Sequence, residues 1–366
     1  MNRSPRQLSV SHGSEEIDVL VIGAGQAGLA AGYYLARPEL SFQIVDRHAR
    51  VGDSWRHRYD SLTLFTPRAF SSLPGLALDG DPEGYPTRDE FANYLETYAS
   101  HFDLPVHSGN GVARLERRAD ERFAAQLDDG RYIVAKAVIV ATGAFQKPII
   151  PTIAAGFDSA VKQLTPESYH NPSDLPLGMV LIVGDGASGR DIAIESRKRQ
   201  PVLLSVGKPR KLLPEHILGK SIWWWLSLVG ALEAPATSFR GRIVRKTDAF
   251  PDRDIRGEAL QRRGIRLMSR LVGAEADVVK FSDGKLAQVR TVIWAVGYRD
   301  ETEWVDIEDA VDAKTGFIHS EGVSPVKGLY FLGRPWQRNR SSALIMGAGP
   351  DAASVIRKLR TDHVQA

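Results

Sequence analysis

Two apolar runs in this chain each stop at a glycine-rich turn and give way to a helical pattern. The first is Ile17-Asp18-Val19-Leu20-Val21-Ile22, followed by Gly23-Ala24-Gly25-Gln26-Ala27-Gly28. A nearly all-aliphatic run of this length predicts a parallel strand buried on both faces. A helix is expected over residues 25–37, stopped by Pro38, and a second strand over 42–45, ending at Asp46. The second run is Val180-Leu181-Ile182-Val183, followed by Gly184-Asp185-Gly186-Ala187-Ser188-Gly189. Here a helix is expected over 186–199 and a strand over 202–206. Each stretch is a strand–G-x-G-x-x-G–helix–strand unit.

The rest of the chain fills in around these units. Residues 51–74 read as loop. Thr87 and Glu90 have the spacing of a capping box, and Phe91, Tyr94, Leu95, Tyr98 and Phe102 then share one helix face, which reads as core. Strands are expected over 112–141, with a hairpin at Asp129-Gly130 and a buried strand running into Thr142-Gly143. Pro148 and Pro151 punctuate a crossover. Asp283-Gly284 marks another hairpin. Strands over 291–296 and 329–332 end at Gly297 and Gly333, and a closing helix over 343–359 is expected to be interrupted early by Gly347, Gly349 and Pro350. The predicted fold is α/β: two Rossmann-like dinucleotide-binding domains, the second inserted in the first. The expected boundaries are a loose tail at 1–16, a first domain of 17–151 and 294–366, and a second of 152–293.

Composition narrows the chemistry. The chain has 366 residues, 43% hydrophobic and 25% charged, with a formal net charge of +3. That charge is too small to point to nucleic acid or a membrane as partner. With no cysteine, a disulfide framework, a thiolate metal site and a redox C-x-x-C are excluded. The nine histidines are scattered without ligand spacing, so no metal is expected. The N-terminal stretch lacks a secretory apolar core, and the greasiest segment, 222–232, is far short of the roughly 18 residues a span needs. A cytoplasmic enzyme is expected. Within that segment Trp223, Trp224 and Trp225 point in different directions on a helix and suggest an interface or a binding mouth.

The glycine spacing has a mechanical reading. Gly23 permits the tight turn, Gly25 lets backbone approach a pyrophosphate, Gly28 lets helix pack on strand, and the helix N-terminus offers free N–H groups. Asp46 lies 23 positions after Gly23, where an acid binds a ribose hydroxyl. After the second unit there is no acid: Lys208 stands 24 positions after Gly184, with Arg210 beyond it. Cations there favour a 2′-phosphate, hence NADPH. Residues 237–270 hold ten Lys/Arg against four Asp/Glu. This is a solvated face or a field that draws in a phosphorylated cofactor.

Two such units, one inserted in the other, resemble the two-domain flavoproteins, with FAD in the N-terminal unit and NAD(P)H in the inserted one. Val51-Gly52-Asp53-Ser54-Trp55-Arg56, Tyr59-Asp60-Ser61-Leu62-Thr63-Leu64-Phe65-Thr66-Pro67, Tyr85-Pro86-Thr87-Arg88 and Ala141-Thr142-Gly143 resemble the flavin-containing monooxygenase family. So do Tyr169-His170-Asn171-Pro172, Ala295-Val296-Gly297-Tyr298-Arg299 and Gly328-Leu329-Tyr330-Phe331-Leu332-Gly333. The look is that of bacterial members akin to the plant auxin-forming enzymes. The resemblance implies that Gly23, Gly25, Gln26, Ala27, Gly28, Asp46, Arg47, Gly52, Asp53, Trp55, Arg56, Ala141, Thr142, Gly143 and Gly333 hold FAD. Gly184, Gly186, Ser188 and Gly189 would take the NADPH pyrophosphate, with Lys208 and Arg210 at its 2′-phosphate, and Gly297 would be a further cofactor-binding residue. Phe65, Thr66, Arg338 and Arg340 would lie near the flavin, and no acid–base pair or metal is required. The implied reaction reduces FAD with NADPH, forms a C4a-hydroperoxyflavin from O2 and oxygenates nitrogen or sulfur in a small substrate, the enzyme being expected as a homodimer.

One departure stands out. In the family's linker pattern, F-x-G-x-x-x-H-x-x-x-Y or F, the terminal Tyr169 is present, but Thr165 replaces the histidine and the glycine is missing. A flavin reductase or electron carrier without oxygenation, and a non-catalytic nucleotide sensor, therefore stay open beside the monooxygenase.

Overall fold

The computed structural model describes residues 15–37, 40–208, 211–247 and 250–364, so Pro38 and Arg210 lie outside the described residues. From the N-terminal side, β1 (Glu15–Ile22), α1 (Gln26–Leu35) and β2 (Phe42–Asp46) form the first unit, and a short α2 (Asp53–Arg56) follows. Next comes α3 (Arg88–His101), whose capping box is formed in both directions between Thr87 and Glu90. Strands β3 (Val106–Ser108), β4 (Val112–Arg117), β5 (Phe123–Leu127) and β6 (Tyr132–Val140) complete this stretch.

The outgoing chain passes through β7 (Lys147–Pro148) and β8 (Lys162–Leu164) into β9 (Val180–Val183), α4 (Ala187–Arg197) and β10 (Val202–Ser205). A long excursion then carries β11 (Leu212–Pro214), the hairpin β12 (His216–Ile217) and β13 (Lys220–Ser221), α5 (Ile222–Leu228), α6 (Phe239–Thr247) and β14 (Phe250–Asp252). The chain re-enters the second sheet through α7 (Gly257–Arg262) and β15 (Arg266–Met268), then makes the ribbon β16 (Leu271–Glu275), β17 (Val278–Phe281) and β18 (Leu286–Gln288). It returns through β19 (Thr291–Trp294), β20 (Tyr298–Arg299), β21 (Val305–Asp306), the hairpin β22 (Val311–Asp312) and β23 (Gly316–Phe317), β24 (Leu329–Phe331) and α8 (Ile345–Val364).

Two separate sheets result. The first has eight strands in the order β21-β4-β5-β6-β1-β2-β3, with β24 also on β6; the second has five, β15-β10-β9-β19-β8, all parallel. Helices α1, α3 and α8 bury one face of the first sheet through Leu29, Phe91, Tyr98 and Val355. Phe123, Phe317 and Phe331 fill the other face. The aromatic stripe of α3 is thus core: Phe91 and Tyr98 are fully buried. The second sheet packs against α4 on one side and the β16–β18 ribbon on the other. Its strand β19 runs through Trp294, one residue past the boundary expected at 293. The outgoing and returning chains lie side by side, because β7 pairs antiparallel with β20.

Helix α8 differs from expectation, since it runs unbroken through Gly347, Gly349 and Pro350. The two glycines are sites of close approach: a Cβ at Gly347 would enter Ser341 backbone, and one at Gly349 would lie 2.6 Å from Pro74. Beyond Pro350 the helix buries Ala352, Val355, Ile356 and Leu359. Burial of this stripe outweighs one missing backbone donor.

Candidate active site

The two glycine turns have the same geometry. Gly23 and Gly184 have φ of +108° and +104°, which L side chains rarely adopt. A Cβ on Gly23 would lie 2.6 Å from the Ala141 carbonyl, and one on Gly184 would strike the Ala295 carbonyl. A Cβ on Gly28 would enter the Gly23 carbonyl, and one on Gly189 would enter that of Gly184. Gly25 and Gly186, the N-caps of α1 and α4, instead face open space. Neither helix has a capping side chain or an acid in its first turn, whereas α3 has Thr87 and α5 has Ser221. The first N–H groups of α1 and α4 are therefore offered to something other than a cap, which is the donor set a pyrophosphate needs. The strand ends opposite them match too: Gly143 and Gly297 both have positive φ, with nothing within 4 Å of a Cβ.

Both turns open onto one cavity of about 1870 Å³. A pocket for one drug-sized ligand spans about 300–1,000 Å³, so this one has room for two nucleotides. The first turn contributes Gly23, Gly25, Gln26 and Ala27, with Asp46, Arg47, Ala141, Thr142, Gly143 and Gly333 around it. The second contributes Gly184, Gly186, Ser188 and Gly189, with Lys208 and Gly297. Gly28 stands behind the lining, in its packing role.

At the end of β2, Asp46 accepts from the Ala24 N–H at 2.6 Å and from the His48 N–H at 2.8 Å, and its carboxylate lies 2.8 Å from His48 Nδ1. Burial works to raise the Asp46 carboxyl, but the His48 ring and these two amides overcome it and hold the group below its ordinary value. The same hydrogen bond raises His48. A fixed anion at this strand end is what a ribose hydroxyl donates to. At the other end of the cavity, Lys208 is joined by Arg270. The two loops are adjacent because β10 and β15 pair, with Val206 N–H donating to the Met268 carbonyl at 3.0 Å and Ser205 Oγ–H to that of Ser269 at 3.0 Å. Lys246, on α6, also lines the cavity.

Between these ends lies the loop after α2. Trp55, Leu62, Thr63, Leu64, Phe65 and Thr66 face the cavity. Trp55 sits edge-on to Phe91 with centroids 4.9 Å apart, and its Nε1–H reaches Gln26 Oε1 at 3.3 Å. The excursion from the second unit crosses behind this loop. Trp223 is fully buried, stacks on Phe65 at 5.9 Å and donates Nε1–H to the Phe65 carbonyl at 2.8 Å. The three tryptophans separate as helix geometry requires: Trp224 is 37% exposed, and Trp225 caps the Ile217 carbonyl.

Several expected site residues are elsewhere. Arg56 points away from the cavity, its guanidinium taken by the Val51 carbonyl, Asp53, Asn93 and Glu96. Asp53 is buried against Arg56 and Arg50. Gly52 serves the turn, at φ +87° with a Cβ position 2.5 Å from the Ala92 carbonyl. Together they clamp α2 onto α3. Arg338 is drawn to the Pro350 carbonyl and the buried Asp351, and neither it nor Arg340 lines the cavity. Thr165 does not line it either; the linker faces the cavity through Pro166 and Glu167. Tyr169 is fully buried and donates to Glu195 at 2.9 Å, an anchor for the linker on α4.

The sequence alone did not reveal Arg58, Asp191, Arg270 or Arg334. Arg58 lines the cavity beneath Phe145 and Tyr298 and lies 3.5 Å from Glu167. Arg334, 8% exposed, binds Asp300 and the Gly143 carbonyl, tying together the strand ends beside Gly333. Among the described residues no group of three or more His, Asp or Glu is placed to hold a metal, and no helix is long and apolar enough to cross a membrane.

A family model described as pyridine nucleotide-disulphide oxidoreductase matches residues 20–208. A CzcO-like oxidoreductase of Geobacillus kaustophilus is 47% identical over 94% of this chain and 98% of its own. Indole-3-pyruvate monooxygenase YUCCA1 of Oryza sativa subsp. japonica is 27% identical over 93% of this chain and 90% of its own. Among solved structures, the flavin-containing monooxygenase of Stenotrophomonas maltophilia superposes with a TM-score of 0.78 at 26% identity, covering 95% of this chain and 99% of that one.

Proposed function

From the premise that this chain belongs to the pyridine nucleotide-disulphide oxidoreductase family, as an FAD- and NADPH-dependent oxidoreductase of the flavin-monooxygenase type, we propose that it inserts one atom of O2 into a small organic substrate at a nucleophilic nitrogen or sulfur. The observation that carries this reading is the doubled cradle: two uncapped helix N-termini open on one cavity large enough for two nucleotides. When bound, NADPH supplies a hydride, and FAD accepts it and activates oxygen.

The side chains then have binding and shielding roles. Gly23, Gly25, Gln26 and Ala27, with Asp46 and the loops at Thr142-Gly143 and Gly333, hold the FAD. Gly184, Gly186, Ser188 and Gly189 hold the NADPH pyrophosphate, and Lys208 and Arg270 hold its 2′-phosphate. Leu62, Leu64, Phe65 and Leu344 keep water from the reacting centre, and Trp223 backs Phe65. Thr165 stands off the cavity, so its substitution for histidine leaves the lining residues unchanged.

The test is oxygen labelling. The protein is reduced anaerobically with NADPH and exposed to 18O2 in the presence of thioether and amine candidates. One 18O atom in a product is expected. Quantitative recovery of the reducing equivalents as H2O2 across the panel would refute the monooxygenase reading.

A further inference from the structure

One largely buried ion pair joins the two nucleotide units and the excursion between them. Asp191 is on α4, the helix that starts at the second glycine turn. Its carboxylate accepts from Arg253 Nη2 at 2.9 and 2.7 Å and from the Tyr59 hydroxyl at 3.3 Å. The same guanidinium donates through Nη1 to the Thr63 carbonyl at 3.2 Å. Arg253 lies just past β14, where the excursion turns back toward the second sheet. Tyr59 and Thr63 belong to the first unit, in the loop that carries Phe65 and Thr66 to the cavity. A single guanidinium therefore bonds the second unit's helix and the first unit's loop.

The surroundings make this contact matter. The Asp191 and Arg253 side chains are 18% and 17% exposed. Tyr59 is buried among Val180, Ile182 and Ile192 of the second unit, so the loop is lodged in the core it faces. The excursion is fastened to the first unit along its length, by Lys220 and Ser221 to Glu83, by Trp223 to the Phe65 carbonyl and by Ala236 to the Arg338 carbonyl. Further polar ties between the units include Asn171 to Asp60, the Asp60 N–H to the His170 carbonyl and Arg58 to Glu167. Removing one partner from a buried ion pair leaves an uncompensated charge, which the structure relieves by opening to water. Here opening means parting helix from loop.

We propose that Arg253 is a positioning residue that, through Asp191 and Thr63, fixes the second nucleotide unit against the flavin loop and so sets the hydride-transfer geometry. Arg253 does not itself line the cavity; it acts through Asp191 and Thr63, which do. The inference rests on the two-nucleotide reading above, but its first readout needs no chemistry.

The chain has no cysteine, so two introduced ones are unique labelling sites. Asp129→Cys in the first unit and Glu275→Cys in the second are both on exposed positions. Spin labels there report the distance between the units in the FAD-loaded protein by pulsed dipolar spectroscopy. Arg253→Met is expected to broaden a narrow distance distribution. It is also expected to slow flavin bleaching at saturating NADPH by about 100-fold, as an ångström-scale misplacement does, with the NADPH concentration for half-maximal rate changed less than about threefold. A distribution as narrow as the parent's in a variant that retains FAD would overturn the proposal, whether or not the enzyme oxygenates anything. If Arg253→Met does not fold with FAD, Asp191→Asn takes its place with the same two outcomes.

Discussion

The end of the cavity lined by Lys208 and Arg270, proposed to take the 2′-phosphate, gives the most direct quantitative check on the nucleotide assignment. Lys208 and Arg270 are both exposed and lie on neighbouring loops after two paired parallel strands. A 2′-phosphate carries about −1.5 to −2 charges at neutral pH. One cation about 4 Å from each such charge gains about 1 kcal/mol in water, so a lysine facing the whole group gains at most about 2. Screening at physiological salt, with a Debye length of about 8 Å, trims this to about 1–1.5 kcal/mol. Lys208→Ala should therefore lower the ratio of kcat/KM for NADPH to that for NADH by about tenfold, since about 1.4 kcal/mol is one decade. Arg270→Ala should do the same. The double variant should lose less than the product, because both cations act on one dianion. Anaerobic flavin reduction by each nucleotide, followed at the flavin band, is the assay. The preference should also shrink as salt is raised. Equal losses for NADPH and NADH in both single variants would refute the assignment.

Three further outcomes follow from the same geometry. Gly28→Ala should prevent FAD retention, since the new Cβ enters the Gly23 carbonyl, whereas Gly189→Ala should leave the protein yellow but poorly reduced by NADPH; loss of FAD in both would contradict one cofactor per turn. His48 should titrate above the ordinary 6.5 and fall back in Asp46→Asn, as read by imidazole NMR. The raised His48 stabilises the fold below its unfolded pKa and loses that contribution as pH rises through its folded value, while the depressed Asp46 contributes above 3.8 and loses it as pH falls through its folded value. The native protein should thus exceed Asp46→Asn in stability most between those limits, and a constant gap at all pH would count against the pair. Trp223→Phe removes the Nε1 donor from the Phe65 carbonyl and should cost about 1–3 kcal/mol in thermal unfolding; an unchanged Tm would mean the contact is slack.

What was legible in the sequence was local. Each glycine turn sits beside the strand it ends and the helix it starts, so a window of a dozen residues contains the whole pattern, and Gly25, Gly186 and Lys208 all line the cavity. Arg270 was hidden because it is 62 residues beyond Lys208 and meets it only through the pairing of β10 with β15. Arg253 and Asp191 were hidden for the same reason, each reading as one more surface charge. Arg338 and Arg56 misled in the opposite direction. Their neighbours in sequence approach the cavity, but buried carboxylates compete for each guanidinium, Asp351 for one and Asp53 for the other. A sequence shows which residues are near a site along the chain; it does not show which acids will claim them.

The pairing of β7 with β20 makes the second unit a cassette. Pro148 and Tyr298 are direct partners on that ribbon, so their Cα atoms lie about 4.5–5.5 Å apart. Residues 149–297 leave and return through a gap that one or two residues would close, and an insert that folds with its own ends adjacent costs the host sheet almost no closure entropy, whatever its length. Exchange of coenzyme preference between relatives by recombination would find its natural seam at 148 and 298, carrying the excursion and Arg253 with the exchanged segment. Tyr59 and Thr63 would remain with the host, and compatibility between host and cassette would be decided at the Asp191–Arg253 joint.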